Sequence, residues 1–310
     1  MKLATLRDGT RDGQLLVVAR DLKTAHVADG IAPTLQAALD DWAFIAPQLD
    51  SLSSLLNAGR AARSFDFDPA ECMAPLPRAF QWVDCAAYIS QDAPAMHQGG
   101  SDDFLGPMED INLAHEEWGI DFAAGVAVIT GDVPAGATPD QALAQVRLVT
   151  IANGVTLRNL VPAELATGGG LLQSKPATAF APVAVTPDEL GENWRQAKLH
   201  LPLRSTWNGA LVGQTQAGDD MAFNFAQLIA HLCKTRNARA GTIVGAGAVA
   251  NKDPKRGYAC IADKRRLETS AGGEPVTGFM RFGDTIRIEM LDKAGKSVFG
   301  AIEQTVKWRG

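Results

Sequence analysis

The sequence lacks every short motif that would name a chemistry by itself. Its 310 residues contain no GxxxxGK[ST] loop, GxSxG elbow, HExxH pair or strand-linked GxGxxG. P-loop, nucleophile-elbow, zincin and simple dinucleotide readings are therefore removed. Gly168–Gly170 reads as a loop, and Gly241–Gly247 (GTIVGAG) as only half of a dinucleotide turn. Cysteine is scarce: Cys72, Cys85, Cys233 and Cys260 stand far apart, with no zinc spacing among them. Reduced thiols are expected, with Cys85 a small buried apolar residue. The opening MKLATLRDGTRDG has no apolar signal core. No apolar run approaches the ~20 residues that span a bilayer. Cytoplasmic localisation, without a membrane partner, is the expectation. Positive charge is in deficit, with 29 Lys and Arg against 35 Asp and Glu. A net charge of −6 argues against nucleic acid as a partner. The short basic clusters Lys252–Arg256 and Lys264–Arg266 read as solvated charge in loops or at strand ends.

What is present is a 46% hydrophobic chain, long enough for one large core and an accessory unit. Leu3–Leu6 and Leu15–Val18 flank a DGTRDG turn, and Ala25–Ala28 adds a third strand. Leu35, Leu39, Trp42, Ile45, Leu49, Leu52 and Leu56 recur near helical spacing over 33–58, with Pro47 expected to kink or break the helix. The Pro-rich stretch Phe65–Pro77 reads as a linker. The division is therefore an accessory domain over 1–70, a hairpin plus a helix, and a larger domain over 71–310. Strands are expected at Val126–Ile129, Leu148–Ile151, Val183–Val185, Ile243–Val244, Ile286–Met290 and Ala301–Val306. Helices are expected at Pro139–Gln145 and Phe223–Cys233. The fold class is α+β and β-rich.

Seven segments in fixed order carry a resemblance. They are PLPRAFQWVD, QGGSDDFLGP, EEWGIDFAAGVAVITGDVP, VTLRNLVPAELA, LQSKPATAFAPVAVTPDELG, AGTIVGAGAVANKD and FMRFGDTIRIEML. Together they resemble the fumarylacetoacetate hydrolase family, in its bacterial branch with an added N-terminal domain. The resemblance implies a mixed β-sandwich roll behind a small N-terminal α/β domain, a homodimer, and a pocket at the mouth of the roll. It also implies C–C bond or enol chemistry on β-dicarbonyl acids, assisted by Mg or Mn held on carboxylates.

Against that pattern the site is depleted. Asp84 matches the first carboxylate. Gln91 stands where a histidine is usual. Ala123 and Gly125 replace two glutamates, and Gly154 replaces a second aspartate. The segment between Ser90 and His97, where family members carry a lid helix, is short. No metal is expected here, unless Asp84 recruits other ligands for Mg or Mn. Lys175, in QSKPA, matches the family's substrate-facing lysine and would stabilise an enolate. Asp84 and His97 complete the catalytic candidates as base and acid. Arg158, Gln91, Gln98 and Ser174 are the substrate-binding candidates, with the guanidinium suited to a carboxylate. His115, Glu116 and Glu117 read as surface or interface residues. The implied activity is a metal-independent lyase, isomerase or cyclisation step on a small enolisable dicarbonyl or keto acid. Two alternatives stay open: a non-catalytic protein that binds a small acid, and ordinary metal-dependent hydrolysis of an acylpyruvate.

Overall fold

The computed structural model describes residues 1–89, 92–270 and 272–310. Gln91 lies outside them. The N-terminal segment contributes β1 (Lys2–Leu6), β2 (Gln14–Val18), β3 (Thr24–Val27) and β4 (Phe65–Asp66), with α1 (Leu35–Asp40) and α2 (Trp42–Asn57) between the last two. Next come β5 (Trp82–Cys85), β6 (Met96–Gly99), β7 (Ile111–Leu113), β8 (Ile120–Asp121) and β9 (Ala124–Thr130). The short helix α3 (Pro139–Leu143) precedes β10 (Val146–Asn153) and β11 (Thr156–Leu157). Helix α4 (Val161–Ala166) leads to β12 (Ala179–Phe180) and β13 (Ala184–Val185). A small hairpin, β14 (Trp194–Arg195) and β15 (Lys198–Leu199), is followed by β16 (Pro202–Trp207) and β17 (Ala210–Gln216). Helix α5 (Phe225–Leu232), β18 (Ile243–Ala248), α6 (Ile261–Ser270), β19 (Thr285–Leu291) and β20 (Ser297–Trp308) close the chain.

Ten strands follow the order β4-β3-β2-β1-β13-β10-β9-β18-β5-β6, with β12 beside β10. Of these pairings only β18 with β5 is parallel. The accessory strands thus continue the main sheet through β1 and β13, where Lys2 faces Val185 and Leu3 faces Ala184. A second sheet, β17-β16-β19-β20-β7, packs beside the first.

Alternation sorts the side chains. In β9, Val126 and Val128 join the larger core, whereas Ala127 and Ile129 join the other. Both faces are covered, so AGVAVIT is apolar up to Thr130 and every residue of the strand is buried. The second core joins Leu35, Leu39 and Leu49 of the first two helices to Leu3, Leu15 and Val17. It continues to Trp82, Phe104 and Phe180, whose rings meet edge to face.

The structure differs from the sequence reading in three places. Pro47 lies inside α2 without ending it, and the break falls at Asp41 (φ −131, ψ 49). Helix α6 was not expected. Lys264–Arg266 therefore sits on a helix, where Lys264 pairs with Glu268 at i,i+4. Its sequence, IADKRRLETS, has little apolar periodicity, and its N-terminus is capped from far away.

Candidate active site

The site forms where β5, β9, β10 and β18 end on one face of the large sheet. Period-2 alternation puts Trp82 and Asp84 on the same side of β5. Asp84 faces His97 directly across the β5–β6 pair, which gives the two side chains a common face. A cavity of about 10 Å³ is lined by Asp84, Ala123, Gly125, Gly154, Gly245 and Gly247, among others. That is room for about one water. Asp84 and the three positions where the resemblance expects further carboxylates therefore do converge in space. A larger cleft, about 430 Å³, lies in the N-terminal segment beside Asp8, Gln14 and Asp29, with no cationic side chain in its lining.

A bulge in β18 arranges the cavity floor. The register against β9 slips between Gly245 and Ala248, and Gly247 takes φ +76. Its N–H then donates to Asp84 Oδ1 at 2.9 Å, beside a second donor, the Cys85 N–H at 3.2 Å. Its carbonyl oxygen stands 2.5 Å from where a β-carbon on Gly125 would lie. Gly245 has a matching constraint, since a β-carbon there would meet Asp84 Oδ1 at 2.5 Å.

Lys175 enters from the loop after α4. Its Nζ donates to the Gly154 carbonyl at 3.1 Å and to Thr156 Oγ1 at 3.0 Å. Both acceptors are neutral. Burial pulls the ammonium below its ordinary value, and the Asp84 charge opposes that. A β-carbon on Gly154 would have only Asp84 Oδ2 (3.7 Å) and Lys175 Nζ (3.8 Å) as heavy-atom neighbours within 4 Å. Burial, then the Lys175 charge, hold the His97 imidazole below its ordinary value; Asp84 and Glu164 oppose them. His97 Nε2 is buried and has no hydrogen-bond partner among the described residues.

The substrate-binding candidates are placed differently. Arg158 Nε donates to Asp121 Oδ2 at 2.8 Å, an ion pair in which Asp121 is fully buried. Gln98 is exposed, and alternation turns it to the face opposite His97. Ser174 is fully buried next to Lys175. Glu116 accepts from the Phe282 N–H at 2.6 Å, and His115 packs on the Trp118 ring. All four cysteines are free and buried, and burial raises the Cys85 thiol well above its ordinary value.

Two residues of consequence were missed in the sequence. Asp121 caps α6, accepting from the N–H groups of Ile261 (2.6 Å) and Ala262 (3.1 Å) while it pairs with Arg158. Glu164 accepts from three successive N–H groups, Leu172 (3.0 Å), Gln173 (2.5 Å) and Ser174 (3.1 Å), and so clamps the loop that presents Lys175. The only sequence signal for either was an acidic residue within a resembling segment.

A hard divalent cation needs several oxygen ligands. Here one carboxylate remains, with one oxygen already taken by two N–H groups. An ammonium lies beside it, and a carbonyl fills the space over Gly125. Among the described residues no group of three or more His, Cys, Asp or Glu is placed to hold a metal ion. The residues present do not fit such a cation.

Comparison with known proteins gives the chain its relatives. Residues 1–78 match the family model "Fumarylacetoacetase N-terminal domain 2". Residues 78–307 match "Fumarylacetoacetate (FAA) hydrolase C-terminal". No curated protein matches the sequence. Among solved structures, the chain is similar to a fumarylacetoacetate hydrolase from Exiguobacterium antarcticum (TM-score 0.70, 17% identity, 100% of both chains). It is also similar to a 2-hydroxyhepta-2,4-diene-1,7-dioate isomerase from Mycobacterium marinum (0.66, 16%, 100% of this chain and 99% of that one). A third is a maleylpyruvate hydrolase from Sphingobium sp. SYK-6 in complex with manganese(II) and pyruvate (0.69, 14%, 100% of both). At these identities the likeness shows the fold.

Proposed function

The chain belongs to the fumarylacetoacetate hydrolase family, and on that premise we propose that it acts without a divalent metal on a small enolisable dicarbonyl or keto acid. One observation carries this reading: Asp84 Oδ2 and Lys175 Nζ flank the gap beside Gly154, where, flanking residues aside, no other described heavy atom lies within 4 Å of a β-carbon position. A substrate carbonyl in that space meets a cation on one side and a carboxylate on the other. Lys175 stabilises the negative charge that develops on the oxygen. Asp84 removes or returns the proton at the activated carbon. His97, across the strand pair from Asp84, holds a buried ring nitrogen with no partner among the described residues and supplies a second proton site. Enolisation, decarboxylation and related lyase or isomerase steps need no more than this. Hydrolysis needs an activated water, and the usual activating position, Gln91, carries an amide with no basic site.

The test is proton NMR of a panel of acylpyruvates and β-keto acids in D₂O, with and without EDTA. Deuterium exchange or turnover that survives EDTA and disappears in Lys175→Met supports the reading. Activity abolished by EDTA and restored by Mg²⁺ or Mn²⁺ overturns it.

A further inference from the structure

The partners of Lys175 are unusual for a half-buried lysine. Both are neutral oxygens, and among the described residues no carboxylate forms an ion pair with it. The guanidinium beside it is committed to Asp121 through Nε. A charged ammonium is most stable in a protein interior beside a carboxylate. Here the nearest carboxylate oxygen at the site, Asp84 Oδ2, stands across an open space instead. An amine held by neutral acceptors in a desolvated site is the environment that makes a lysine a nucleophile. Burial lowers the Lys175 ammonium in the same direction.

From this arrangement we propose that Lys175 forms a covalent iminium with the ketone carbon of a 2-oxo acid in the space beside Gly154, with Asp84 carrying the protons. The proposal rests on the site reading above and deepens it. The ammonium first passes a proton to Asp84 by way of a water molecule in the gap between them. The freed lone pair forms a C–N bond to the ketone carbon, and the C=O π pair moves to oxygen. After the nitrogen gives up a proton to that oxygen, Asp84 returns its own proton and the C–O bond breaks. One water leaves. A carbonyl and an ammonium have become an iminium and water, with charge conserved and no oxidant or reductant used. The iminium then draws electrons from an adjacent C–H or C–C bond, as a metal-bound carbonyl would.

Gly154 makes the idea testable without disturbing the lysine. An aspartate there has room for its β-carbon, and its carboxylate would sit on the Lys175 side chain. An opposite charge at that distance favours the ammonium by one or more pKa units, so free amine falls about tenfold or more.

The experiment incubates the full chain with pyruvate, the simplest 2-oxo acid, and sodium cyanoborohydride, which reduces an iminium to a stable secondary amine. Intact mass and peptide mapping are then read. The expected result is a single adduct at Lys175, equal to pyruvic acid less one oxygen atom. It is absent in Lys175→Met and formed about tenfold or more slowly in Gly154→Asp than in Gly154→Asn, which fills the same space without the charge. Circular dichroism of the variants confirms that they fold. Labelling spread over surface lysines, or no adduct at Lys175, overturns the iminium. If the D₂O exchange still survives EDTA in that case, the electrostatic reading stands and only the covalent step falls. If exchange is absent too, both fall.

Discussion

The carbonyl oxygen of Gly247 occupies the space that a side chain on Gly125 would need, 2.5 Å from the β-carbon position. The absence of a side chain on β9 is therefore matched by the bulge on β18.

Gly125→Ala is expected to lower stability by about 1–3 kcal/mol, because backbone, not a flexible side chain, must move. The smaller entropy of the unfolded alanine chain, about 0.4–1 kcal/mol in the other direction, does not cancel it. Urea denaturation measures the difference. An unchanged midpoint would show that the bulge yields freely.

Glu164→Gln is expected to lower kcat while leaving the melting temperature nearly unchanged. An amide has one acceptor oxygen for the three N–H groups that the carboxylate now takes. Hydrogen exchange at Leu172, Gln173 and Ser174 should quicken in the same variant. Activity lost with no change in that exchange would assign Glu164 some other part.

His97 should titrate below 6.5, since burial and Lys175 both disfavour its charged form. The unfolded imidazole takes a proton near 6.5 and the native one only at lower pH. Between the two values the unfolded chain holds more protons, so stability is full above 6.5 and falls as pH drops through the native pKa. Imidazole chemical shifts followed against pH give the value directly. A value raised above 6.5 would mean that Asp84 dominates its surroundings.

Burial drops the Lys2 ammonium to about 8, against the pull of Glu189 and Asp292. In the unfolded chain it keeps its proton to about 10.5. Between these values the unfolded state binds more protons, so this group makes stability rise with pH, by about 3 kcal/mol at most. Cys72, raised to about 12 by burial, works the opposite way over much of that range. Comparing melts of the parent and Lys2→Met from pH 7 to about 10 cancels the thiol. The gap between the two should narrow as pH rises, and a constant gap would contradict the shift.

Much of the fold was legible because its strands follow simple rules. β19 and β20 alternate, and β9 is continuously apolar because two cores cover it. The order of the flanking segments singled out Asp84, Ala123, Gly125 and Gly154, and these four line one cavity. Helix α6 was not legible, because its cap is Asp121, 140 residues earlier in the chain. The Gly247 contact was equally hidden, since a bulge is set by the register of two strands and not by either one alone. Glu164 acts on backbone N–H groups, which carry no side-chain signature. A break at Pro47 was over-read: the lost donor and the ring clash cost about 3 kcal/mol, and burial of Ile45 and Leu49 offsets it.

The pairing of β1 with β13 has a consequence for anyone who cuts the chain. Removing the first 70 or so residues would strip neighbours from the sheet rather than detach a bead from a string. The backbone of β13 facing β1 would be left as a raw edge, with Ala184 and Val185 uncovered, an invitation to pair with another molecule. The truncated protein is expected to aggregate, and the intact one to melt in a single cooperative step that takes both segments together.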